Sequence, residues 1–261
     1  MKRVPITPKL SLYPKELHPL FEGADVYDSS CSREARVILI DKDGGYYLKS
    51  APKGSLQREA DMTRYFHQKG LATEVLCYLC AEQDYLLTAR VPGEDCTHED
   101  YLAQPERLCD LLATRLRALH ETDPGGCPVP NHTQQYLATV HRNYAEGHYD
   151  QSLFPDNWGY TSAEDAYRVV KERAHLLKCD TLLHGDYCLP NIMLTDWQFS
   201  GFIDVGNGGV GDRHVDLFWG TWTLNFNLKT DRYRDRFLDA YGRDVIEPGM
   251  MDLIAACEVF G

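Results

Sequence analysis

Short alternating runs fill the first ninety or so residues, and helical spacing governs most of the chain after Val91-Pro92-Gly93-Glu94-Asp95. A chain ordered in this way builds a sheet-rich part first and a helical part second, which is an α+β arrangement. Ala35-Arg36-Val37-Ile38-Leu39-Ile40 and Tyr46-Tyr47-Leu48-Lys49 alternate like strands, and Asp41-Lys42-Asp43-Gly44-Gly45 between them is a hairpin signal. A helix is expected from about Ser55 to Lys69, stopped by Gly70, with strands near 75–80 and 85–89. Beyond the break, Leu108, Leu111, Leu112, Leu116 and Leu119 recur at helical spacing, as do Tyr136, Leu137, Val140 and Tyr144. Thr97 with Asp100 and Ser162 with Asp165 have the spacing of capping boxes. A strand pair is expected to interrupt the helices, near 191–195 and 199–205, with its turn at Asp196-Trp197-Gln198.

Composition excludes several classes. The formal net charge of -12 argues against a nucleic-acid partner, whose phosphates need a basic surface. No apolar run approaches the roughly 18 to 20 residues of a membrane span, and residues 1–14 have no apolar core of a secretory signal. The expected location is therefore the cytoplasm. Nine cysteines without framework spacing fit free thiols; Cys77 and Cys80 form a C-x-x-C with no second pair or His nearby, so they read as packing residues.

The densest chemical signal is His184-Gly185-Asp186-Tyr187-Cys188-Leu189-Pro190-Asn191, followed by Ile203-Asp204-Val205-Gly206. Phosphoryl transfer needs an aligned hydroxyl, a group to take its proton, and metal ions on the phosphates. Asp186 supplies the base, and Asn191 and Asp204 are two hard oxygen ligands of the kind Mg²⁺ uses while keeping several waters. His184 is expected to orient the loop rather than exchange protons. Upstream, Lys49 ends a strand and Glu59 lies early in the next helix, the pair that holds phosphates in kinases. Tyr47 shares the strand face of Lys49 and could stack on adenine or simply pack. Where a glycine-rich loop would precede Lys49, the turn around Ser30 offers hydroxyls and N–H groups instead. Gly206-Asn207-Gly208-Gly209-Val210-Gly211 spells a dinucleotide fingerprint, but too little chain follows to build a doubly wound sheet.

With these residues in view, the chain resembles the aminoglycoside 3'-phosphotransferases over most of its length. Residues 182–193 and 199–204 carry the likeness, together with Leu48-Lys49-Ser50 and Arg58-Glu59. The resemblance implies a two-lobed protein-kinase-like fold, with a nucleotide-binding lobe over 1–91 and a catalytic and substrate-binding lobe over 92–261. It implies transfer of the γ-phosphoryl of ATP or GTP to an aminoglycoside hydroxyl, at the 3'-position, as in antibiotic resistance. By the same resemblance Asp186 is the base, Asn191 and Asp204 hold Mg²⁺, and Lys49 and Glu59 serve the phosphates. Ala89-Arg90-Val91 would be the hinge that meets adenine, and Asp156, Asn157 and Glu258 would hold substrate amines. An acidic pocket suits a polycationic sugar.

The chain departs from the family pattern on the acceptor side. Asn207 stands where relatives often carry Arg, the helix after Asp216 offers Trp219, Trp222 and Asn225 in place of basic residues, and Phe260 is followed by Gly261. These departures leave open a different small hydroxyl acceptor, such as a sugar, choline or a macrolide. A nucleotide-binding pseudokinase is the remaining alternative, opposed by the presence together of Lys49, Asp186, Asn191 and Asp204.

Overall fold

The computed structural model describes residues 3–31, 34–149 and 159–261, which divide by packing into two units. In chain order the elements are β1 (Val4–Pro5), α1 (His18–Phe21), β2 (Asp25–Asp28), β3 (Arg36–Asp41), β4 (Tyr46–Pro52), α2 (Gln57–Gln68), β5 (Val75–Cys80), β6 (Gln83–Ala89) and β7 (Glu94–Asp95). There follow α3 (Glu99–Leu102), α4 (Pro105–His120), α5 (His132–Glu146), α6 (Ala163–Arg173), β8 (Thr181–Leu183), β9 (Ile192–Thr195) and β10 (Gln198–Phe202). The chain closes with β11 (Gly209–Gly211), α7 (His214–Leu228), α8 (Arg234–Tyr241) and α9 (Met250–Glu258). Among the described residues no helix is long and apolar enough to cross a membrane.

The first unit is Met1–Glu99 with Pro190–Gly206. Its main sheet is antiparallel in the order β1-β2-β3-β4-β6-β5. Period-two alternation puts Ile38, Ile40 and Leu48 against Tyr13, Leu17 and Phe21 on one face, while Ala51 and Leu86 pack on Leu56 and Ala60 of the α2 region on the other. Each such fully buried aliphatic side chain contributes about 1.5–3 kcal/mol. The start of α2 is held by Asp84, a fully buried carboxylate whose Oδ2 accepts the Leu56 N–H at 2.9 Å and the Tyr78 hydroxyl at 2.9 Å. Burial works against its charge, but these donors prevail and keep its pKa below the ordinary value. Glu59, in the first turn of α2, is thereby tied to the sheet that carries Lys49.

The second piece of this unit is a hairpin from much later in the chain. Its loop is the two residues Asp196 and Trp197, both at positive φ (50° and 65°), which closes β9 on β10 as a tight turn with the twist of the strands. β9 pairs with β7, giving the three-stranded order β10-β9-β7. The backbone passes so close there that a Cβ on Gly93, at φ +91°, would lie 1.9 Å from the Leu194 carbonyl oxygen, so only glycine fits. The fingerprint-like run 206–211 enters a turn and then β11, which pairs antiparallel with β8, so no βαβ unit is present.

The second unit is Asp100–Leu189 with Asn207–Gly261. Leu108, Leu112, Leu116 and Leu119 form one buried stripe along α4. Val140 of α5, Ala166 and Val170 of α6, and Leu253 and Phe260 at the chain's end form a second cluster. Ser162 caps α6, accepting the Asp165 N–H at 3.1 Å; the Asp165 carboxylate turns instead to the Thr161 hydroxyl at 2.6 Å. At Thr97, the other expected capping position, the N–H and the hydroxyl both donate to the Asp95 carboxylate two residues back. With a sheet-rich first unit and a helical second one, the chain has the α+β fold class.

Candidate active site

In the first unit the central group is Lys49. Pairing of β4 with β3 and β6 fixes its backbone opposite Val37 and Leu86. Its ammonium donates to Glu59 Oε2 at 2.7 Å and to Asp204 Oδ1 at 2.9 Å. Burial alone would lower the Lys49 pKa; the Glu59 and Asp204 carboxylates outweigh it and raise the pKa above the ordinary lysine value. Burial raises the Glu59 pKa, Lys49 opposes this and Asp204 adds to it. Asp204 sits two residues beyond β10 with φ +57°, a left-handed conformation that Asp tolerates better than most residues. Its side chain is 52 % exposed, so an oxygen remains within reach of a ligand.

Asn191 is buried and ends the turn before β9; its carbonyl accepts the Ile203 N–H at 3.0 Å, one residue before Asp204. Among the described residues no group of three or more His, Cys, Asp or Glu side chains is arranged for a metal. An amide oxygen and a partly exposed carboxylate carried on hydrogen-bonded neighbours are instead a sparse hard-oxygen set, which fits Mg²⁺ with its retained waters and a substrate phosphate.

The other residues expected on the nucleotide side lie in the same unit. Tyr47 is half-buried on β4, and burial raises its pKa against the nearby Arg3 and Arg90 charges. Ser30 is engaged in closing its turn: its hydroxyl accepts the Val37 N–H at 3.0 Å and its own N–H donates to Asp28 at 3.0 Å. At the end of β6 the Ala89 N–H goes to the Glu74 carbonyl and the Ala89 carbonyl accepts the Thr73 hydroxyl at 2.8 Å. Among the described residues the buried Val91 N–H meets no acceptor, so that donor is available to a ligand.

In the second unit, residues 184–189 form a loop held from several directions. The wholly buried Asp216 of α7 accepts the His184 N–H on Oδ2 at 2.7 Å and the Gly185 N–H on Oδ1 at 2.8 Å. His184 Nδ1 accepts the Asp186 N–H at 3.3 Å. Tyr187 donates to the Leu112 carbonyl at 2.8 Å, and Leu189 N–H donates to Thr223 Oγ1 at 3.1 Å, pinning the loop to α4 and α7. Gly185 has φ +81°, and a Cβ there would lie 2.1 Å from the Asn207 carbonyl oxygen, so the arginine that protein kinases carry at this point could not stand here. Half-buried Asp186 is thus delivered on a backbone with little freedom.

Asp216 and its partner His120 belong to none of the motifs in the sequence. The available signal was a charge set inside the apolar run Val215-Asp216-Leu217-Phe218, where burial demands partners. Glu258, at the end of α9, accepts the Tyr136 hydroxyl at 2.8 Å. Burial pushes its pKa up to about 7 against the bond from Tyr136, and the nearby Asp186 charge adds to the rise. Asp156 and Asn157 fall outside the described residues.

In the first unit Lys49 is thus bonded to both Glu59 and Asp204, and in the second the loop that carries Asp186 is held by Asp216. The profile of the phosphotransferase enzyme family matches residues 30–253. A protein of Lactococcus lactis subsp. lactis, named as a probable aminoglycoside 3'-phosphotransferase, is 50% identical over 250 residues, spanning 95% of each chain. The crystal structure of an aminoglycoside-3'-phosphotransferase of type VIII superposes with a TM-score of 0.75 at 23% identity, covering 95% of this chain and 97% of that one. An aminoglycoside phosphotransferase of Streptomyces rimosus, solved in complex with ADP and streptomycin, superposes at 0.72 with 20% identity over 97% and 99% of the two chains. The chain belongs to the aminoglycoside 3'-phosphotransferase family, and is accordingly a phosphotransferase with a hydroxyl acceptor.

Proposed function

We propose that this protein transfers the γ-phosphoryl group of ATP or GTP to the 3'-hydroxyl of an aminoglycoside, in the cytoplasm, so conferring resistance to the drug. The observation that carries phosphoryl transfer is the Lys49 ammonium bonded to both Glu59 and Asp204. The relatives, above all that of Lactococcus lactis, support the aminoglycoside as acceptor. The nucleotide found with the Streptomyces rimosus enzyme supports a nucleoside triphosphate as donor.

In this reading Lys49 neutralises phosphate oxygens of the donor, and Glu59 keeps the ammonium aimed and charged. The Val91 N–H and the second lone pair of the Ala89 carbonyl are assigned to the adenine edge, with Tyr47 on the strand face next to Lys49. Ser30 shapes the turn over the phosphates through its backbone contacts. Asn191 and Asp204 would hold Mg²⁺, which would offset the negative charge of the transferring phosphoryl group. Asp186 orients the acceptor hydroxyl and takes its proton as the new O–P bond forms and the bond to the β-phosphate oxygen breaks. Asp216 acts through the loop backbone, as a positioning residue. Glu258, with Asp156 and Asn157 by resemblance, is assigned to the acceptor's ammonium groups; a net charge of -12 favours approach of such a cation.

The test is Mg²⁺-dependent nucleoside diphosphate release with kanamycin B against its 3'-deoxy analogue tobramycin, with Asp186→Ala as the blank. Turnover with the first alone is expected. Equal turnover of both would move the acceptor hydroxyl elsewhere on the sugar, and silence with both would remove the aminoglycoside.

A further inference from the structure

One polar stripe of α7 meets the loop 184–189. Asp216, Thr223 and Asn227 follow one another at intervals of seven and four residues, which puts them on one face of the helix. Asp216 takes the His184 and Gly185 N–H groups at the loop's entry, and Thr223 Oγ1 takes the Leu189 N–H at its exit, at 3.1 Å. The two anchors stand two helical turns apart, about 10 Å along the axis, and Asp186 lies between their partners in the chain. Thr223 is 1 % exposed and β-branched, a residue with no advantage inside an apolar helix unless its hydroxyl is used. Asn227, one turn further on, places Nδ2 2.8 Å from the Thr223 carbonyl oxygen and 3.2 Å from Thr223 Oγ1. A carbonyl can only accept, so the amide nitrogen must face it, and the same nitrogen donates to Oγ1. Both lone pairs of the Thr223 hydroxyl are therefore taken, one by Asn227 and one by Leu189, which fixes its rotamer.

We infer that Thr223 and Asn227 are a positioning pair for Asp186, clamping the exit of its loop as Asp216 clamps the entry. The inference rests on the proposed role of Asp186 as base. The path from clamp to carboxylate is short: Leu189 is three residues past Asp186, and within that interval the Cys188 N–H closes on the Asp186 carbonyl at 2.8 Å. A displacement of Leu189 is thus passed to the backbone that carries the carboxylate. Leu189 is wholly buried, so water cannot replace a lost partner for its N–H. Without the Thr223 hydroxyl, a shifted loop in which that N–H finds another acceptor is favoured. Displacing a reacting group by about 1 Å costs up to about a hundredfold in rate. The nucleotide side is spared, because Asn191 is fixed separately in the first unit, where its carbonyl accepts the Ile203 N–H at 3.0 Å. In this role Thr223 and Asn227 act through the loop backbone.

Steady-state kinetics on kanamycin B, together with hydrogen exchange of the peptide covering 184–189 read by mass spectrometry, tests the clamp. Thr223→Val keeps the side-chain shape and removes the hydroxyl. Its kcat is expected to fall about tenfold, equivalent to about 1.4 kcal/mol, with both KM values within about twofold of wild type. Thr223→Ser, which returns the hydroxyl without the methyl, should recover kcat to within about twofold. Asn227→Ala, at a half-buried position in the last turn of α7, should lower kcat about threefold. Exchange of the loop peptide should quicken in Thr223→Val and Asn227→Ala and stay at the wild-type rate in Thr223→Ser. Equal losses in the Val and Ser variants would assign the effect to packing and overturn the inference. So would wild-type kcat and exchange in Asn227→Ala, which decides the matter even where Thr223→Val fails to fold. If the wild type turns over no aminoglycoside, the functional reading falls; unchanged exchange in the variants then overturns the clamp as well, and quickened exchange retains it.

Discussion

His120 Nε2 lies 3.2 Å from Asp216 Oδ2, and both side chains are wholly buried. His120 Nδ1 is 2.8 Å from the Tyr241 hydroxyl, so a neutral imidazole with its proton on Nε2 satisfies both neighbours. Burial lowers the His120 pKa despite the carboxylate, and the donors around Asp216 lower its pKa despite burial. A neutral histidine therefore braces an ionised aspartate, which in turn holds two N–H groups of the loop that presents Asp186.

Replacing Asp216 by Ala strands the His184 and Gly185 N–H groups in the interior. The expected loss is about 3 kcal/mol of stability, read by urea denaturation, with a fall in kcat larger than any change in nucleotide KM. A variant as stable and as active as wild type would show that the loop is held by its other bonds alone.

Stability should also depend on pH through His120. Its folded pKa lies below the unfolded value, so the unfolded chain binds the proton more readily. The contribution is full above about pH 6.5 and falls away as pH drops from there towards the lower folded pKa. Denaturation midpoints measured down from neutral pH should therefore decline more steeply in wild type than in His120→Gln. Parallel curves would assign the acid limb to other groups.

Asp186→Ala should reduce turnover by at least about a thousandfold, because the acceptor proton loses its destination. Nucleotide affinity by calorimetry should stay near that of wild type. Retention of most of the kcat would remove Asp186 from the role of base.

Asp204→Ala acts on the donor. It removes a metal ligand and one of the two carboxylates that hold Lys49. Affinity for the nucleotide in the presence of Mg²⁺ should drop at least about tenfold, with a smaller drop when Mg²⁺ is chelated. Equal losses with and without Mg²⁺ would mean that only the contact with Lys49 mattered.

Glu258, with its pKa pushed up to about 7, is half ionised near neutral pH. Its carboxylate can pair with an ammonium only when ionised, so the acceptor KM should fall as pH rises from about 6 to about 8. Glu258→Gln should flatten that limb and raise the acceptor KM at the upper end. An identical pH profile in the variant would place the titration elsewhere.

Much of this molecule is visible in local sequence. The strands of 36–41 and 46–52 follow from alternation and the Asp43-Gly44-Gly45 turn, and α4 from leucines at helical spacing, since both patterns reflect contacts between near neighbours. The spacing of Asp186, Asn191 and Asp204 points to phosphoryl transfer from sequence alone, because a loop and a hairpin of defined length separate these residue types. Other features depended on partners far apart in the chain. The hairpin β9–β10 joins the first unit because β9 finds β7 and Phe202 packs on Phe66, pairings that no window of sequence contains. The same holds for β8 with β11, three residues each, too short to show a period. Asp216 reads locally as one charge in an apolar helix. Only the folded unit gives it His120 from 96 residues away and the loop N–H groups from about 30 residues away, because a buried charge is tolerated just where tertiary packing supplies its hydrogen bonds.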